Sequence, residues 1–482
     1  MSTRVPDIDL RELARSGPVH FMGVTGAGMS ALAELVLRSG GRVTGCDARP
    51  GAAASEALAA LGLEVAVGHD PAHVEDAAAV VVTAAVPPDH PELAAARARG
   101  IPVLKRAQAL GAVVNRGVVI AVAGTHGKTT TTAMTTAILV EAGLDPTGFV
   151  GGRMRAWNGG LRRGSDRLFV VEADEYDRSF LALRPRIAVV TAVEADHLDV
   201  YGSVEAIEEA FREFLAPVPE DGLIAACVDD LGASRILRDV GSARTLRYGL
   251  SAEAELRATN VEQHGRGSRF RVEEHGVPLT ELTLRVPGLH NVRNALGALA
   301  AARAAGADVA AARRALAAFE GVDRRFQEVG QAGGVIFVDD YAHHPTEIMA
   351  TLAAARAAYP GRRIVAVFQP HLYTRTRDFA EDFGRALASA DVIWVADVYP
   401  AREAPIPGVT GELVARAAEA AGGAEVHYHA ELGSLAEALA AALEPGDVCI
   451  TLGAGNIDET GRKAFALLGG SATAAAGTGD QP

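Results

Sequence analysis

Short apolar runs recur along the chain, and each is followed by a longer segment of helical character. The clearest runs lie at 18–24, 79–83, 118–123, 168–172, 364–368, 392–396 and 448–452. Nearly continuous apolar runs of this length are typical of strands that are buried on both faces, so they predict parallel strands covered by helices. The alternation of strand and helix therefore predicts an α/β protein built on parallel sheets.

A glycine-rich turn follows one of these runs and precedes a predicted helix. The turn reads Gly124-Thr125-His126-Gly127-Lys128-Thr129. Strand, glycine turn, Lys-Thr and helix is the order of a phosphate-binding loop, whose backbone N–H groups surround phosphate oxygens. In such loops the lysine reaches the phosphates and the hydroxyl binds Mg²⁺. The loop is a shortened form, because Val122 stands where the usual spacing has glycine, and a plain strand-to-helix turn is the alternative.

A second glycine turn follows the first apolar run. It contains Gly26 and Gly28, and the next predicted strand ends at Asp47. Strand, glycine turn, helix, strand and acid open a dinucleotide-binding fold, in which the acid accepts a hydrogen bond from a ribose hydroxyl. The glycine spacing departs from the usual pattern because Thr25 stands where a glycine is expected. Taken alone, this turn is a weak signal.

Two acidic clusters follow two further predicted strands in the middle of the chain. One is Glu172-Ala-Asp174-Glu175, and the other contains Asp196 and His197. The carboxyl ends of parallel strands lie in the ligand crevice of an open sheet, where a carboxylate can hold Mg²⁺. A solvated loop is the alternative for any one of these residues, and a structural role is the alternative for the histidine. Two clusters behind a phosphate loop favour a metal site.

The pattern predicts three domains. The length of 482 residues agrees with about three domains of ordinary size. We predict a Rossmann-like domain at 1–117, a central P-loop ATPase-like domain at 118–320 and a doubly wound Rossmann-like domain at 321–470. Short alternating segments at 244–286 predict a small antiparallel insert in the central domain. The small polar residues at 471–482 predict a disordered tail.

Composition excludes several classes of protein. The net charge of −14 argues against a nucleic-acid-binding surface. No apolar stretch reaches the length of a membrane span and no secretory signal begins the chain, so we expect a cytoplasmic protein without membrane insertion. Cys46, Cys227 and Cys449 are far apart in sequence and form no metal-ligand spacing, which favours buried thiols. Lysine occurs only three times, so abundance does not explain the lysine of the phosphate loop.

Taken in order, the motifs resemble those of the Mur ligases over residues 18–468. They lie at Gly124–Thr130, Val171–Asp177, Asp196–His197, Pro287–Asn294, Asp323–Phe326, Asp339–Pro345 and Phe368–Thr376. Each motif alone is modest, whereas their order along one chain is specific. One departure is Leu372, because relatives often have an arginine there, which leaves more of the local charge to Arg375.

The resemblance implies an ATP-dependent ligase of peptidoglycan precursor synthesis. The motifs are most similar to those of the member that joins L-alanine to the lactyl carboxylate of UDP-N-acetylmuramate, through an acyl-phosphate that the amine attacks. The implied cofactors are ATP and Mg²⁺, with two ions. The first domain would hold the UDP-sugar, the second ATP and the third the amino acid. The expected partners are therefore small molecules, with no nucleic acid, and we expect a monomer or a homodimer.

The resemblance also implies which residues form the site. The catalytic residues are Lys128, Glu172, His197 and Arg375. The nucleotide-binding residues are Gly124, Thr125, His126, Gly127, Lys128, Thr129, Thr130, His290, Asn291, Arg325 and Asp340. The substrate-binding residues are Gly26, Gly28, Asp47 and His69 for the UDP-sugar and Tyr341, His343 and Arg375 for the amino acid. The metal ligands are Thr129, Glu172 and His197.

Other interpretations remain open. Asn291 is a good helix N-cap residue, and Arg375 is a candidate for a surface salt bridge. A murein-peptide ligase of cell-wall recycling would attach a preformed peptide to the same sugar nucleotide. A P-loop switch protein would hydrolyse ATP to control a partner and would have no ligase activity. The two αβ domains besides the P-loop domain, with their histidine and arginine clusters, favour a ligase.

Overall fold

The first domain is built on a five-stranded parallel sheet. We describe it from a computed structural model that covers residues 8–83, 85–422 and 425–471. Its strands are β1 Val19–Met22, β2 Val43–Asp47, β3 Val65–Val67, β4 Ala79–Val82 and β5 Val103–Lys105. Its helices are α1 Leu10–Ser16, α2 Ala27–Arg38, α3 Ala52–Ala59, α4 Pro91–Ala98 and α5 Arg106–Val114, with a short 3₁₀ helix at Pro71–Val74. The strand order β3-β2-β1-β4-β5 is that of a Rossmann-like sheet.

The second domain carries a ten-stranded sheet. Its strands are β6 Val118–Ala123, β7 Thr147–Met154, β8 Gly159–Arg162, β9 Leu168–Glu172, β10 Ile187–Val190, β11 Leu223–Cys227, β12 Arg244–Gly249, β13 Leu256–His264, β14 Gly267–Glu274 and β15 Val277–Leu284. Its helices are α6 Lys128–Glu141, α7 Leu198–Tyr201, α8 Val204–Leu215, α9 Leu231–Ile236, α10 Leu289–Ala304 and α11 Val309–Ala318. Strand β6 pairs in parallel with β9 on one side and with β10 on the other. The loops that follow these three strands therefore meet at one edge of the sheet.

The predicted antiparallel insert at 244–286 is only partly separate from the parallel sheet. Strand β12 pairs in parallel with β11, and β13 pairs in parallel with β12. The later strands β13, β14 and β15 are joined by two-residue connections, which link antiparallel neighbours. Positive φ angles at Gly265 and at His275-Gly276 permit these tight turns. The insert thus begins as an extension of the parallel sheet and continues as a meander.

The third domain has a six-stranded sheet. Its strands are β16 Gln327–Ala332, β17 Val335–Asp340, β18 Ile364–Phe368, β19 Val392–Ala396, β20 Val426–His429 and β21 Val448–Leu452. Its helices are α12 Pro345–Ala358, α13 Tyr373–Leu387, α14 Gly411–Ala420, α15 Leu432–Ala442 and α16 Ile457–Leu467. The order is β16-β17-β21-β18-β19-β20, and all pairs are parallel except β16 with β17. Pro345 opens α12, because proline suits the first turn of a helix.

By compactness the chain divides into two units. Of the described residues, the first unit contains those within 8–259, 271–282 and 293–318, and the second contains those within 260–270, 283–292 and 319–471. Within the first unit, one core cluster includes residues of both sheets, among them Phe21 of β1 and Phe169 of β9. The first two domains therefore share a core, and the predicted domain boundaries stay predictions.

Two sequence expectations concern membrane insertion and the end of the chain. Within the described ranges, no helix combines the length and the apolar character that a membrane crossing requires. The disordered tail predicted at 471–482 falls, apart from Ser471, outside the described residues.

Candidate active site

The glycines of the phosphate loop occupy positions that no larger residue fits. Gly124 has φ +136°, and a Cβ there would overlap the Thr191 hydroxyl and lie 2.8 Å from the Ala192 nitrogen. Gly127 has φ +82°, and a Cβ there would lie 2.5 Å from Oδ1 of Asn294. Since only glycine combines such backbone angles with such close approach, the loop is held in one compact shape. Helix α6 begins directly after it, at Lys128.

The Lys128 ammonium lies inside the loop and meets a buried carboxylate. Its Nζ donates to the Gly124 carbonyl at 2.6 Å and to both Glu175 oxygens at 2.8 and 2.9 Å. The side chains of Lys128 and Glu175 are 13% and 4% exposed. Burial lowers the pKa of Lys128, but the charge of Glu175, its hydrogen bond and the charges of the nearby acidic residues together outweigh burial. The pKa is therefore raised and the lysine stays protonated. A positive charge thus lies at the loop, paired with the carboxylate of Glu175.

Thr129 and Glu172 come together as the sequence predicts. The Thr129 hydroxyl donates to Oε1 of Glu172 at 2.9 Å, and the backbone N–H of Gly151 donates to Oε2 at 2.6 Å. Thr129 is the second residue of α6, and Glu172 ends β9, the neighbour of β6 in the sheet. Two oxygen donors therefore lie side by side at the N-terminal end of a helix, an arrangement that suits a hard cation such as Mg²⁺.

His197 lies on the segment after β10, with a left-handed backbone angle of φ +51°. Its Nε2 is 3.7 Å from Oδ2 of Asp196, and its ring meets the ring of Tyr176 edge-on at 5.0 Å between centroids. Tyr176 follows directly after Glu175, so the histidine contacts the acidic segment that contains Glu172. The metal-ligand role of His197 stays a prediction.

The remaining residues of the loop are fixed to the segment after β10. The backbone N–H of Thr125 donates to the Ala192 carbonyl at 2.8 Å, and the Thr125 hydroxyl accepts from the N–H of Glu194 at 3.0 Å. Nε2 of His126 lies 3.5 Å from a carboxylate oxygen of Glu194. Thr130 is buried at 8% exposure. These contacts hold the loop from the side of β10.

The first glycine turn has a local partner for the predicted ribose-binding acid. The carboxylate of Asp47 accepts from both the N–H and the hydroxyl of Thr25. Thr25 is the residue that replaces the expected glycine, so its departure from the pattern creates a hydrogen-bonding partner for Asp47. Gly26 is the N-cap of α2, and a Cβ on Gly28 would lie 3.1 Å from the Arg106 guanidinium. The sugar-binding roles of these residues stay predictions.

His69 lies beside a buried thiol. Its Nδ1 is 3.2 Å from the sulfur of Cys46 and 3.5 Å from a carboxylate oxygen of Glu92. All three cysteines are buried, as predicted. The structure thus places His69 in a polar group of side chains that sequence spacing does not reveal.

In the second unit, His290 and Asn291 lie in the first turn of α10, which begins at Leu289. Asn291 is therefore inside the helix, and the interpretation of this residue as an N-cap is wrong. Its side-chain amide donates instead to the Pro287 carbonyl at 2.7 Å. The His290 ring packs over Gly288, where a Cβ would lie 2.5 Å from the ring. Glycine at 288 is thus required for the position of this imidazole.

Asp340 is held by the backbone. Its two oxygens accept from the N–H groups of Phe326 and Ala342, both at 2.8 Å. Burial raises the pKa of Asp340 to about 6, although the charge of Arg325 opposes the shift. Next to it, the Tyr341 ring is contacted by the guanidinium groups of Arg324 and Arg325, at 5.1 and 5.2 Å from the centroid. These contacts fix the positions of Arg325 and Tyr341, two predicted site residues, against each other.

The residues predicted for the amino acid form one chain of contacts. The His343 ring meets the Tyr341 ring edge-on at 5.2 Å and the His371 ring at 6.0 Å. Nη1 of Arg375 is 3.5 Å from Nδ1 of His371. Arg375 is only 6% exposed, so the interpretation as a surface salt bridge is wrong. His371 stacks in turn on Tyr399.

Three family models match most of the chain. The Mur ligase family catalytic domain matches residues 18–117, the Mur ligase middle domain 122–302, and the Mur ligase glutamate ligase domain 324–455. The chain is 45% identical, over 92% of its length, to UDP-N-acetylmuramate–L-alanine ligase of Geobacter sp. (strain M21), of which it covers 96%. The chain belongs to the Mur ligase family.

Solved structures agree with this Mur ligase fold. The crystal structure of UDP-N-acetylmuramate–alanine ligase from Thermotoga maritima superimposes with a TM-score of 0.78 and 29% identity, over 94% of this chain and 99% of that one. A murein peptide ligase from Psychrobacter arcticus 273-4 gives 0.69 and 26%, over the same shares of the two chains. The predicted three-domain α/β fold and the family resemblance are thereby confirmed.

In this Mur ligase, two residues that the sequence analysis did not assign to the site contact predicted site residues. Glu175 pairs with Lys128, and His371 joins His343 to Arg375. Both residues lie within motifs of the family, so a signal was present. Spacing along the chain does not predict that Lys128 pairs with Glu175, 47 positions away. It also does not predict the ring contact between His343 and His371, which lie in two different loops.

Proposed function

We propose that this chain joins L-alanine to the lactyl carboxylate of UDP-N-acetylmuramate and converts ATP to ADP and phosphate. The proposal rests on one observation: over 92% of its length the chain is 45% identical to a relative named for this reaction, and the phosphate loop is intact. The enzyme is thus an ATP-dependent, amide-forming ligase of peptidoglycan precursor synthesis. We further propose that it acts in the cytoplasm as a monomer or a homodimer.

Charge neutralisation is the main task of the phosphate loop, because a triphosphate and a carboxylate must approach each other. Lys128 is already protonated and already directed into the loop, where it donates to a carboxylate. We propose that phosphate oxygens replace Glu175 as its acceptor when ATP binds. The backbone N–H groups around Gly127 then complete the cradle for the anion.

Thr129 and Glu172 fit a Mg²⁺ ion, because they present two oxygens 2.9 Å apart and this cation prefers oxygen ligands. A Mg²⁺ ion held there would neutralise part of the phosphate charge. His197 is our candidate for holding a second ion. Imidazole is a poorer ligand for Mg²⁺ than oxygen, so we expect this second ion to be the weaker one.

The second unit supplies groups for the amino acid. The buried guanidinium of Arg375 suits a carboxylate, which it can bind through two parallel hydrogen bonds. Nδ1 of His343 lies 2.9 Å from the Tyr341 carbonyl and therefore carries the proton in the neutral ring. This tautomer leaves a lone pair on Nε2. We propose that His343 accepts a proton from the alanine ammonium group before the amine attacks.

We also propose contacts to the adenine and ribose of ATP and to the UDP-sugar outside the phosphate loop. His290 and Asn291 are proposed to contact adenine, and Asp340 and Arg325 to contact the ribose. Asp47, His69 and the turn at Gly26 and Gly28 are proposed to contact the UDP-sugar.

ADP release, measured with each acceptor omitted in turn, tests the function. We expect release to require UDP-N-acetylmuramate and full turnover to require L-alanine. Release of ADP without any acceptor would indicate a switch ATPase instead. A preference for a tripeptide over L-alanine would indicate a murein-peptide ligase, the activity that the Psychrobacter structure is named for.

The acyl-phosphate has its own test. When the lactyl carboxylate carries ¹⁸O, the phosphate released should carry the label, since one carboxylate oxygen leaves with phosphate when the amine attacks. Unlabelled phosphate would exclude this route.

A further inference from the structure

A buried group of metal-ligand side chains lies in the first domain, on the face of the sheet covered by α4. It consists of His20 on β1, Cys46 on β2, His73 on the 3₁₀ helix and Glu92 on α4. One ligand atom from each of the four lies within 4.8 Å of the other three. His20, Cys46 and Glu92 are almost fully buried, and His73 is one quarter exposed. No step of the proposed ligase reaction uses these four residues.

The distances from the Cys46 sulfur to its neighbouring donors are close to those of a tetrahedral metal site. Nε2 of His20 is 3.3 Å from the Cys46 sulfur, which is 3.6 Å from both Glu92 oxygens. Zinc–ligand bonds of 2.0–2.3 Å place neighbouring ligand atoms about 3.3–3.7 Å apart. The distance from Nδ1 of His73 to Oε1 of Glu92, at 2.8 Å, is shorter and would have to lengthen.

The surroundings orient the donors as zinc sites do. Nδ1 of His20 lies 3.0 Å from the Thr44 hydroxyl, and this hydrogen bond leaves Nε2 directed at Cys46. In metal sites the second nitrogen of a ligand histidine is usually bound by such an outer partner. The backbone N–H of Asp70 likewise donates to Glu92 at 2.8 Å.

Charge balance favours a divalent cation here. Glu92 is fully buried, and its ion-pair partners within the described part of the chain are the imidazoles of His69 and His73 rather than a lysine or arginine. A buried carboxylate is costly unless a cation balances its charge. One thiolate and one carboxylate neutralise a doubly charged ion, and the two imidazoles add no charge. Sulfur and imidazole donors select Zn²⁺ over Mg²⁺ or Ca²⁺.

We propose that His20, Cys46, His73 and Glu92 bind a structural Zn²⁺ ion that ties strands β1 and β2 to helix α4. The cysteine loses its proton to solvent when the Zn–S bond forms. His69, which contacts Cys46 from outside this set, positions the sulfur without being a ligand. The ion is separate from the proposed Mg²⁺ site at Thr129 and Glu172, whose donors are oxygens.

Cobalt substitution of the full-length protein tests the proposal. With excess Mg²⁺ present to fill the oxygen site, Co²⁺ should bind at one equivalent per chain. The spectrum should show a thiolate-to-cobalt charge-transfer band and the intense visible absorption of tetrahedral Co²⁺, and Zn²⁺ should displace both. Cys46→Ala should abolish the charge-transfer band. Cys227→Ala, which removes another buried thiol of the same unit, should leave it unchanged.

The wild-type spectrum decides the matter even if Cys46→Ala fails to fold. Absence of a thiolate band in the wild type overturns the proposal, as does a band that survives in folded Cys46→Ala. His73→Ala, at the partly exposed ligand, should weaken cobalt binding while the circular dichroism stays that of the wild type. Zinc should also raise the unfolding temperature of the wild type more than that of either ligand variant, because a ligand that binds only the folded state stabilises it.

Discussion

Replacement of Glu175 by glutamine tests whether this residue occupies the place of ATP phosphate. In the structure its carboxylate accepts two hydrogen bonds from Lys128, and both groups are buried. The phosphates of ATP must therefore compete with Glu175 for the ammonium group of Lys128. Hydrogen bonds to charged groups contribute about 1.5–3 kcal/mol, so removal of the competing charge should strengthen binding of an ATP analogue by about 2 kcal/mol, or roughly thirtyfold.

The same substitution should have the opposite effect on the protein without nucleotide. Glutamine keeps one acceptor but leaves the buried ammonium without a counter-charge. We therefore expect the free energy of unfolding to fall by about 2 kcal/mol, somewhat less than the full cost of breaking a buried ion pair. Saturating ATP analogue should cancel this loss, because phosphate then supplies the negative charge.

Calorimetric titration with a non-hydrolysable ATP analogue and urea unfolding with and without it provide the measurements. Glu208→Gln is a matched control, because Glu208 is also a buried glutamate of the first unit and pairs with Arg235 at 2.7 Å. We expect that variant to leave analogue affinity unchanged and to lose the same stability in both conditions. Weaker or unchanged analogue binding by folded Glu175→Gln would refute the reasoning and indicate that Glu175 itself assists nucleotide or metal binding.

Three further predictions concern the proposed site residues. Lys128→Ala should abolish ligation with an unchanged circular dichroism spectrum, since the lysine acts on phosphate charge, and near-normal turnover would contradict the assignment. His197→Ala should raise the Mg²⁺ concentration needed for half-maximal activity, whereas an unchanged requirement would show that the histidine holds no ion. Bicarbonate should not stimulate the wild type, because residues 118–320 contain no lysine besides Lys128 that could carry a carbamate. Arg375→Lys should raise KM for L-alanine far more than it lowers kcat, because lysine cannot donate two parallel hydrogen bonds to a carboxylate, and an unaltered KM would exclude Arg375 from alanine binding.

Sequence alone determined the features that depend on neighbouring residues. Apolar runs located the strands, and the glycines at 124 and 127 marked a loop whose backbone angles no other residue tolerates. The sequence also predicts that Glu172 lies near Thr129, because β6 and β9 end at the same edge of a parallel sheet. Such inferences succeed because hydrophobic periodicity and backbone sterics act locally, and because parallel strands align their carboxyl ends.

Tertiary structure decided which distant side chains become partners. The sequence does not show whether Lys128 and Glu175 contact each other, but in the structure they form a largely buried ion pair. Arg375 reads as a surface residue on a polar helix, but packing buries it. Cys46 shares no ligand spacing with another cysteine, and only the register of β1 with β2, together with α4 above them, brings histidine and glutamate to its sulfur. Spacing along the chain cannot reveal these contacts, because which face a residue occupies and what covers that face depend on the packing of whole elements.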